Sequence, residues 1–450
     1  MSKVIKIKKG LRINLAGKAG KTMANIPTAA LYALKPSDFI GVVPKLLVKE
    51  GDEVKAGSPL FCDKVKPEIL FTSPVSGTVK EILRGDRRKI LSITVEPDGK
   101  GQYKSFTRGA ANSLNRETIV ENLLKSGLWP SLKMRPYGII ARPQDKPKSI
   151  FISGMDSAPL GVDYNFIMKG LEREFQAGID ILSKLTDGKI HLGVDAKAET
   201  CAAFTGAQNL VLTSYQGPHP AGNVGTHIHK LDPINKGEVV WTLDPQQVVA
   251  IGHLFTEGRY DATRIIALTG SEVKNTGYFK MVSGAHLSTI LANNVKGSNV
   301  RIIGGNVLTG SLLDSDDFLG YYEPQITVIP EGNHYEFMGW IAPGFNKFSF
   351  SHTFFSWLTP NKEYIVDTNI KGGHRALMIT GNFEKVFPFN ILPMQLLKAI
   401  IIEDIDLMEQ LGIYEVTEED FALCEFIDTS KTEIQSIVRK GLDLMVKEMS

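Results

Sequence analysis

Cysteine is scarce: Cys62, Cys201 and Cys424 are the only three in 450 residues. An odd, widely spaced set is not a disulfide framework. No C-x-x-C spacing occurs, and an iron–sulfur cluster usually takes four thiolates, so the sequence predicts no cluster held by this chain. Long apolar runs are also missing. The best candidates, 239–255 and 396–408, are interrupted by Asp244, Gln246 and Gln247 in one and by Glu403, Asp404 and Asp406 in the other. Neither reaches the roughly 18 residues that suggest a membrane span. The start, MSKVIKIKKGLRINLAG, is basic but lacks the continuous apolar core of a signal peptide. Together these absences predict a cytoplasmic protein, one able to lie against a membrane. Excess charge of one sign is absent as well: 51 Lys and Arg face 49 Asp and Glu, a net +2, which argues against a general nucleic-acid binder. No G-x-G-x-x-G, nucleophile elbow or Ser-His-Asp order is readable, so no catalytic machinery stands by itself.

What is present is ordinary globular composition, 43% hydrophobic and 22% charged, in a chain long enough for two to four domains. Gly and Pro punctuation divides it into four regions, predicting a multidomain α+β protein: 1–100 all-β, 101–258 α/β, 259–320 mostly β, and 321–450 mixed β, then helical. In the second region the apolar runs 149–153, 190–194 and 210–213 alternate with helix-like 163–182 and 195–206, the rhythm of a mainly parallel sheet. Thr118 and Glu121 have capping-box spacing, and Asn115 is an alternative N-cap one turn earlier. In the last region, Ile437, Val438, Leu442 and Val446 have helical spacing.

Two stretches carry recognisable turn patterns. G-D-E-V-K-A-G at 51–57 and P-V-S-G-T-V at 74–79 supply both halves of a hammerhead, resembling the barrel-sandwich hybrid of lipoyl and biotinyl domains. Lys64 follows Asp63 as in a lipoyl domain but lies two residues too far from the Pro-Val turn. Lys66 has the usual separation but precedes Pro67, which biases it toward extended backbone. Neither has Met neighbours, so no covalent attachment is expected. The second stretch, 267–310, resembles a soluble-ligand-binding β-grasp, with Leu287, Ile290 and Leu291 as the inward stripe of its helix.

Q-G-P-H-P-A-G-N-V-G-T-H-I-H at 216–229 gathers His219, His227 and His229. On a strand, His227 and His229 would share a side, an arrangement that suits a metal. No nearby Cys, Glu or Asp completes a ligand set, although Asp232 is close. The alternative is an irregular loop whose histidines bond to backbone, and no metal is assigned.

In combination these pieces resemble the A subunits of Na+-translocating NADH:quinone reductases, nearly end to end. The most specific segments are I-K-K-G-L at 7–11, S-G-L-W at 126–129, R-P-Y at 135–137, M-D-S-A-P-L at 155–160, the histidine loop, F-x-G-W-x-x-P-G-x-N-K-F-S at 337–349 and G-N-F-E-K-V at 381–386. That family is distantly similar to the flavin subunit of respiratory complex I. Bulky residues at 126–136 stand where that relative has its glycine run, and 423–431 looks like a degraded ferredoxin motif retaining only Cys424. The resemblance therefore implies a subunit without flavin or iron–sulfur centres of its own. It further implies a peripheral protein on the cytoplasmic side of the inner membrane, within a six-subunit complex that oxidises NADH, reduces quinone and exports Na+. NADH, flavins and the iron–sulfur centre would then belong to other subunits, and a membrane-embedded subunit would be its main partner. Trp129, Leu132, Arg135 and Tyr137 are the candidate quinone-facing surface, a flat apolar area with a cation and a phenol. Simple packing of these residues, or contact with the partner, is the alternative. Other readings of the whole chain are a stand-alone carrier protein acylated at Lys64 or Lys66, and an independent flavoenzyme.

Overall fold

In the strand Ser149–Ser153, Ile150 and Ile152 point to one face and Phe151 to the other, and all three are buried. A strand apolar on both faces needs helices on both sides, the usual setting of a parallel sheet. A computed structural model, which describes residues 4–334 and 336–449, shows that arrangement. Five parallel strands run in the order Val4–Lys6, Val211–Gln216, Lys189–Asp195, Ser149–Ser153 and Val240–Leu243. Two antiparallel strands, Lys133–Arg135 and Ile139–Ile140, complete the edge. Helices Glu172–Leu182 and Pro245–Glu257 share a core with Ile150 and Ile152, while Val224–Leu231 packs against Phe151 and Val240.

Two expected helices are shorter than their patterns suggest. The 163–182 pattern splits into Tyr164–Ile167 and Glu172–Leu182, because Gly170 takes φ +84° between them. Only Ala202–Thr205 is helical within 195–206; the Asp195 carboxylate instead accepts from the Lys197 amide at 2.9 Å, closing a local turn. Helix Arg116–Ser126 is capped by Asn115, whose side chain accepts from the Thr118 amide.

The first β region forms two small facing sheets. One has the order Tyr32–Leu34, Ile90–Pro97, Gly77–Arg84, Glu53–Val54; the other Pro44–Leu46, Pro59–Asp63, Leu70–Thr72. Phe61 and Phe71 stack at 4.5 Å within their shared core. Two strands near the start lie outside this unit: Val4–Lys6 joins the parallel sheet and Met23–Asn25 pairs with Gly277–Val282. Three-residue strands carry no period to read, so their non-local pairing was not legible.

The third sheet has six strands, ordered Ser311–Leu313, Val300–Gly304, Gln325–Pro330, Thr263–Thr269, Gly277–Val282, Met23–Asn25. Leu287, Ile290 and Leu291 are buried at the helix Ser288–Leu291. Strand Gln325–Pro330, expected in the C-terminal region, lies inside this sheet. Beyond it, residues 331–382 contain one short helical turn, Phe355–Leu358, among the described residues. The helical end begins at Phe383–Val386 and includes Pro393–Ile401 and Ile434–Met449. Its Leu396, Val438 and Leu442 belong to the same core as the parallel sheet.

Candidate functional site

Strand order creates a switch point. From Ser149–Ser153 the chain crosses to Lys189–Asp195 on one side, then returns to Val240–Leu243 on the other. Ligand crevices of open α/β sheets form beyond the carboxyl ends of the strands flanking such a point. A cleft of about 1140 Å³ opens there. Asp156 follows one flanking strand and Asp244 the other. Lys133 and Arg135 form the edge wall, while Tyr321, Tyr322 and Glu323 reach in from the six-stranded sheet and Glu418 and Glu419 from the C-terminal region.

Local structure fixes these side chains. Asp244 caps helix Pro245–Glu257, accepting from the Gln246 amide at 2.8 Å, while the Gln247 side chain accepts from the Asp244 amide. The Tyr164 hydroxyl donates to the other Asp244 oxygen. Asp156 accepts from the Ala158 amide at 2.8 Å. Arg135 Nη1 donates to Asp420 Oδ2 at 2.6 Å, both side chains being buried, and its Nη2 reaches Glu419 at 3.5 Å. Gly225 lies against this pair: a Cβ there would stand 2.3 Å from Asp420 Oδ1 and 2.5 Å from Arg135 Nη1. Lys133 Nζ sits 3.6 Å over the Tyr322 ring.

Burial shapes the electrostatics. It pushes Asp156 up to about 6 and Glu323 up to about 7. Glu419 is pushed up to about 7 by the same cause, although 44% of its side chain remains exposed, which tempers the effect. Burial pulls Lys133 down; it also opposes the charge on Arg135, where Asp420 and Glu419 more than offset it. The cleft thus combines fixed charge with carboxyls that change protonation near neutrality. Two buried polar atoms on its lining residues, Asn223 Nδ2 and Gln325 Oε1, have no protein hydrogen-bond partner.

The sequence-selected residues separate on this framework. Trp129 and Leu132 are fully buried; Trp129 Nε1 donates to the Ala141 carbonyl at 2.8 Å and its ring packs edge-on to Trp241. They provide no flat exposed area, because they pack beneath the edge strands. Tyr137 is also buried, facing Tyr414, and its carbonyl accepts from Arg439 at 2.8 Å. Of the four, Arg135 lines the cleft.

The histidines diverge too. His227 and His229 lie on helix Val224–Leu231 rather than on a strand, so a two-residue spacing turns them apart. His219 lines the cleft, sharing a hydrogen bond of 3.1 Å between its Nδ1 and the Ser157 hydroxyl, and burial lowers it to about 4. His227 donates to the Ala221 carbonyl at 2.9 Å, stacks on Tyr215 and is likewise lowered to about 4. His229 donates from Nδ1 to Glu415 at 2.7 Å and accepts the Asn390 amide at Nε2, tying the helix to the C-terminal region. Among the described residues no group of three or more His, Cys, Asp or Glu is placed to hold a metal. Lys64 is exposed on the hairpin after Pro59–Asp63, and Lys66 is half-buried there, its pKa lowered first by burial and then by Arg142. Cys424 and Asp428 are both buried.

Sequence reading passed over Lys133, Tyr164, Asp244, Glu323 and Glu419. The legible signal was positional: Asp156 and Asp244 each fall just after an apolar run that becomes a parallel strand.

Three family models match in chain order: the NqrA N-terminal barrel-sandwich hybrid domain at residues 5–98, the NqrA second alpha/beta domain at 114–260, and the NQRA C-terminal domain at 265–315. The A subunit of the Na(+)-translocating NADH-quinone reductase of Hahella chejuensis is 40% identical over 448 residues, covering 99% of this chain and 100% of the relative. The A subunits of the same reductase from Neisseria meningitidis serogroup A and Pasteurella multocida are each 38% identical, again over 99% of this chain and 100% of each relative. A chain of an NAD+-reducing [NiFe]-hydrogenase covers 76% of this chain and 62% of its own length at a TM-score of 0.39 and 11% identity, too loose a likeness to carry an argument. The full-length identities settle the family: the chain belongs to the NqrA family, the A subunits of the Na(+)-translocating NADH-quinone reductases.

Proposed function

We propose that this chain is a peripheral subunit of a Na+-translocating NADH:quinone oxidoreductase, on the cytoplasmic side of the membrane, and that the switch-point cleft is its quinone-facing site. The observation that carries this reading is the cleft itself, with carboxyls that titrate near neutrality beside polar groups lacking protein partners. Reducing a quinone consumes two electrons and two protons, and acids with pKa values near the working pH suit such proton delivery. Asn223 Nδ2 is a donor free to meet a quinone oxygen, and Arg135 supplies the fixed positive charge on the edge wall. Trp129, Leu132 and Tyr137 act beneath that wall, holding its strands in place. No helix among the described residues is long and apolar enough to cross a membrane, which is compatible with docking on a membrane-embedded partner. In this reading NADH, flavins and the iron–sulfur centre belong to other subunits of a six-subunit assembly. The lipoyl-like barrel sandwich and the β-grasp-like six-stranded sheet serve as structural modules, with Lys64 and Lys66 unmodified.

The test is recovery of the tagged chain from native membranes, with identification of co-purifying subunits and an activity assay. Co-recovery of partner subunits with Na+-dependent NADH:quinone reductase activity is expected. Recovery of the chain alone, or with a mass increment on Lys64 or Lys66, would overturn the reading.

A further inference from the structure

A second cavity, of about 690 Å³, lies between the N-terminal segment and the irregular 331–382 region. Its charge is one-sided. Lys6, Lys8, Arg12, Lys197 and Lys362 line it, and no carboxylate among the described residues does. Lys6, Lys8, Arg12 and Lys197 form no ion pair with any described residue, and Lys362 is held by the Phe345 carbonyl at 2.9 Å and the Asn346 side chain at 2.7 Å. In a chain of net charge +2, such a concentration of unpaired cations is local rather than a consequence of composition. By contrast, the part-buried Lys148 reaches both Asp232 and Glu238.

The wall of the cavity is aromatic, formed by Phe348, Phe350, Trp357 and Tyr364. Its rim carries large apolar side chains in the open: Phe345 is 63% exposed, Trp357 52% and Leu358 54%. The preceding turn adds Trp340 at 55% and Ile341 at 50%, and Lys347 ties that turn back by donating to the Ala342 carbonyl. Glu336 pairs with Lys347 in that turn, but no acid among the described residues lines the cavity itself. Exposed Trp, Phe and Leu beside these unpaired cations match a water–lipid boundary, where rings settle at headgroup level and cations meet phosphates. Residues 331–382 offer no sheet edge or long helix among the described residues. The strand Val4–Lys6 at the cavity is an outer strand of its sheet, so an acidic peptide is the occupant that vesicle binding must exclude.

We propose that this cavity and its apolar rim bind anionic phospholipid at a bilayer surface, the phosphate held by the lysines and Arg12 and the rim residues inserting at headgroup depth. This goes beyond the quinone reading and does not depend on it.

The test uses the full chain with sucrose-loaded vesicles, either pure phosphatidylcholine or containing about one-third phosphatidylglycerol, at low and high salt. Trp129 and Trp241 are fully buried, so a binding-induced change in tryptophan emission reports on Trp340 and Trp357. Expected is co-sedimentation with anionic vesicles only, weakened by salt, with a blue-shifted emission. The triple variant Lys8→Gln, Arg12→Gln, Lys197→Gln alters exposed side chains, so a melting temperature equal to that of the parent confirms its fold. It should bind on the order of 100-fold more weakly, about fivefold for each cation removed. The proposal is overturned by equal binding to both vesicle types, by binding unchanged in the folded triple variant, or by saturation with millimolar inorganic phosphate that abolishes vesicle binding and marks a soluble-anion site instead.

Discussion

The two cavities handle charge in opposite ways. In the switch-point cleft, Arg135 is buried against Asp420, Lys133 lies over an aromatic ring, and several carboxyls are pushed toward neutrality by burial. In the basic cavity Lys6, Lys8, Arg12 and Lys197 stand exposed, with no ion pair among the described residues, beside an aromatic wall. A buried charge is costly unless partnered, so the first region must resolve its electrostatics within the fold. An exposed cation is cheap, so the second can leave them for something outside. The contrast teaches where substitution should harm the fold and where it should harm binding alone.

The sharpest break of that contrast is Arg135→Met. It strands the buried Asp420 carboxylate and should cost about 3–5 kcal/mol of stability by chemical denaturation. Little change would mean that the pair is open to water. Next comes Glu323→Gln. Because burial raises the folded pKa of Glu323 to about 7, wild-type stability from this group is fully present below pH 4.5 and lost as pH rises through 7. The variant should match wild type at pH 4 and exceed it by up to about 3 kcal/mol at pH 8, measured by denaturant titration at both pH values. The smallest effect belongs to the basic cavity: Lys8→Gln, Arg12→Gln and Lys197→Gln together should change stability by no more than about 0.5 kcal/mol. A large loss there would reveal a structural role and erase the distinction between the regions.

Legibility in the sequence followed how local each signal was. The parallel sheet could be read because 149–153 and 190–194 are short apolar runs between helical patterns. The cap at Asn115 was readable for the same reason, since its bond spans three residues. The placement of Val4–Lys6 and Met23–Asn25 was not, because each strand is decided by a partner more than 200 residues away. At the site, the side chains of the R-P-Y segment divide by burial: Arg135 lines the cleft and Tyr137 does not. The histidine loop misled because a strand and a helix turn a two-residue spacing in different directions. Glu323 and Glu419 were invisible because nothing in their own neighbourhoods says that they meet Asp156 across one cleft.

The most direct measurement is photolabelling of the full chain with a short-chain quinone bearing a photoreactive group, followed by peptide mapping. The prediction is adducts on cleft-lining peptides around Asn223 and 321–323, displaced by excess unlabelled quinone. Adducts confined to the basic cavity and its rim, or adducts that excess quinone fails to displace, would contradict the assignment of the cleft.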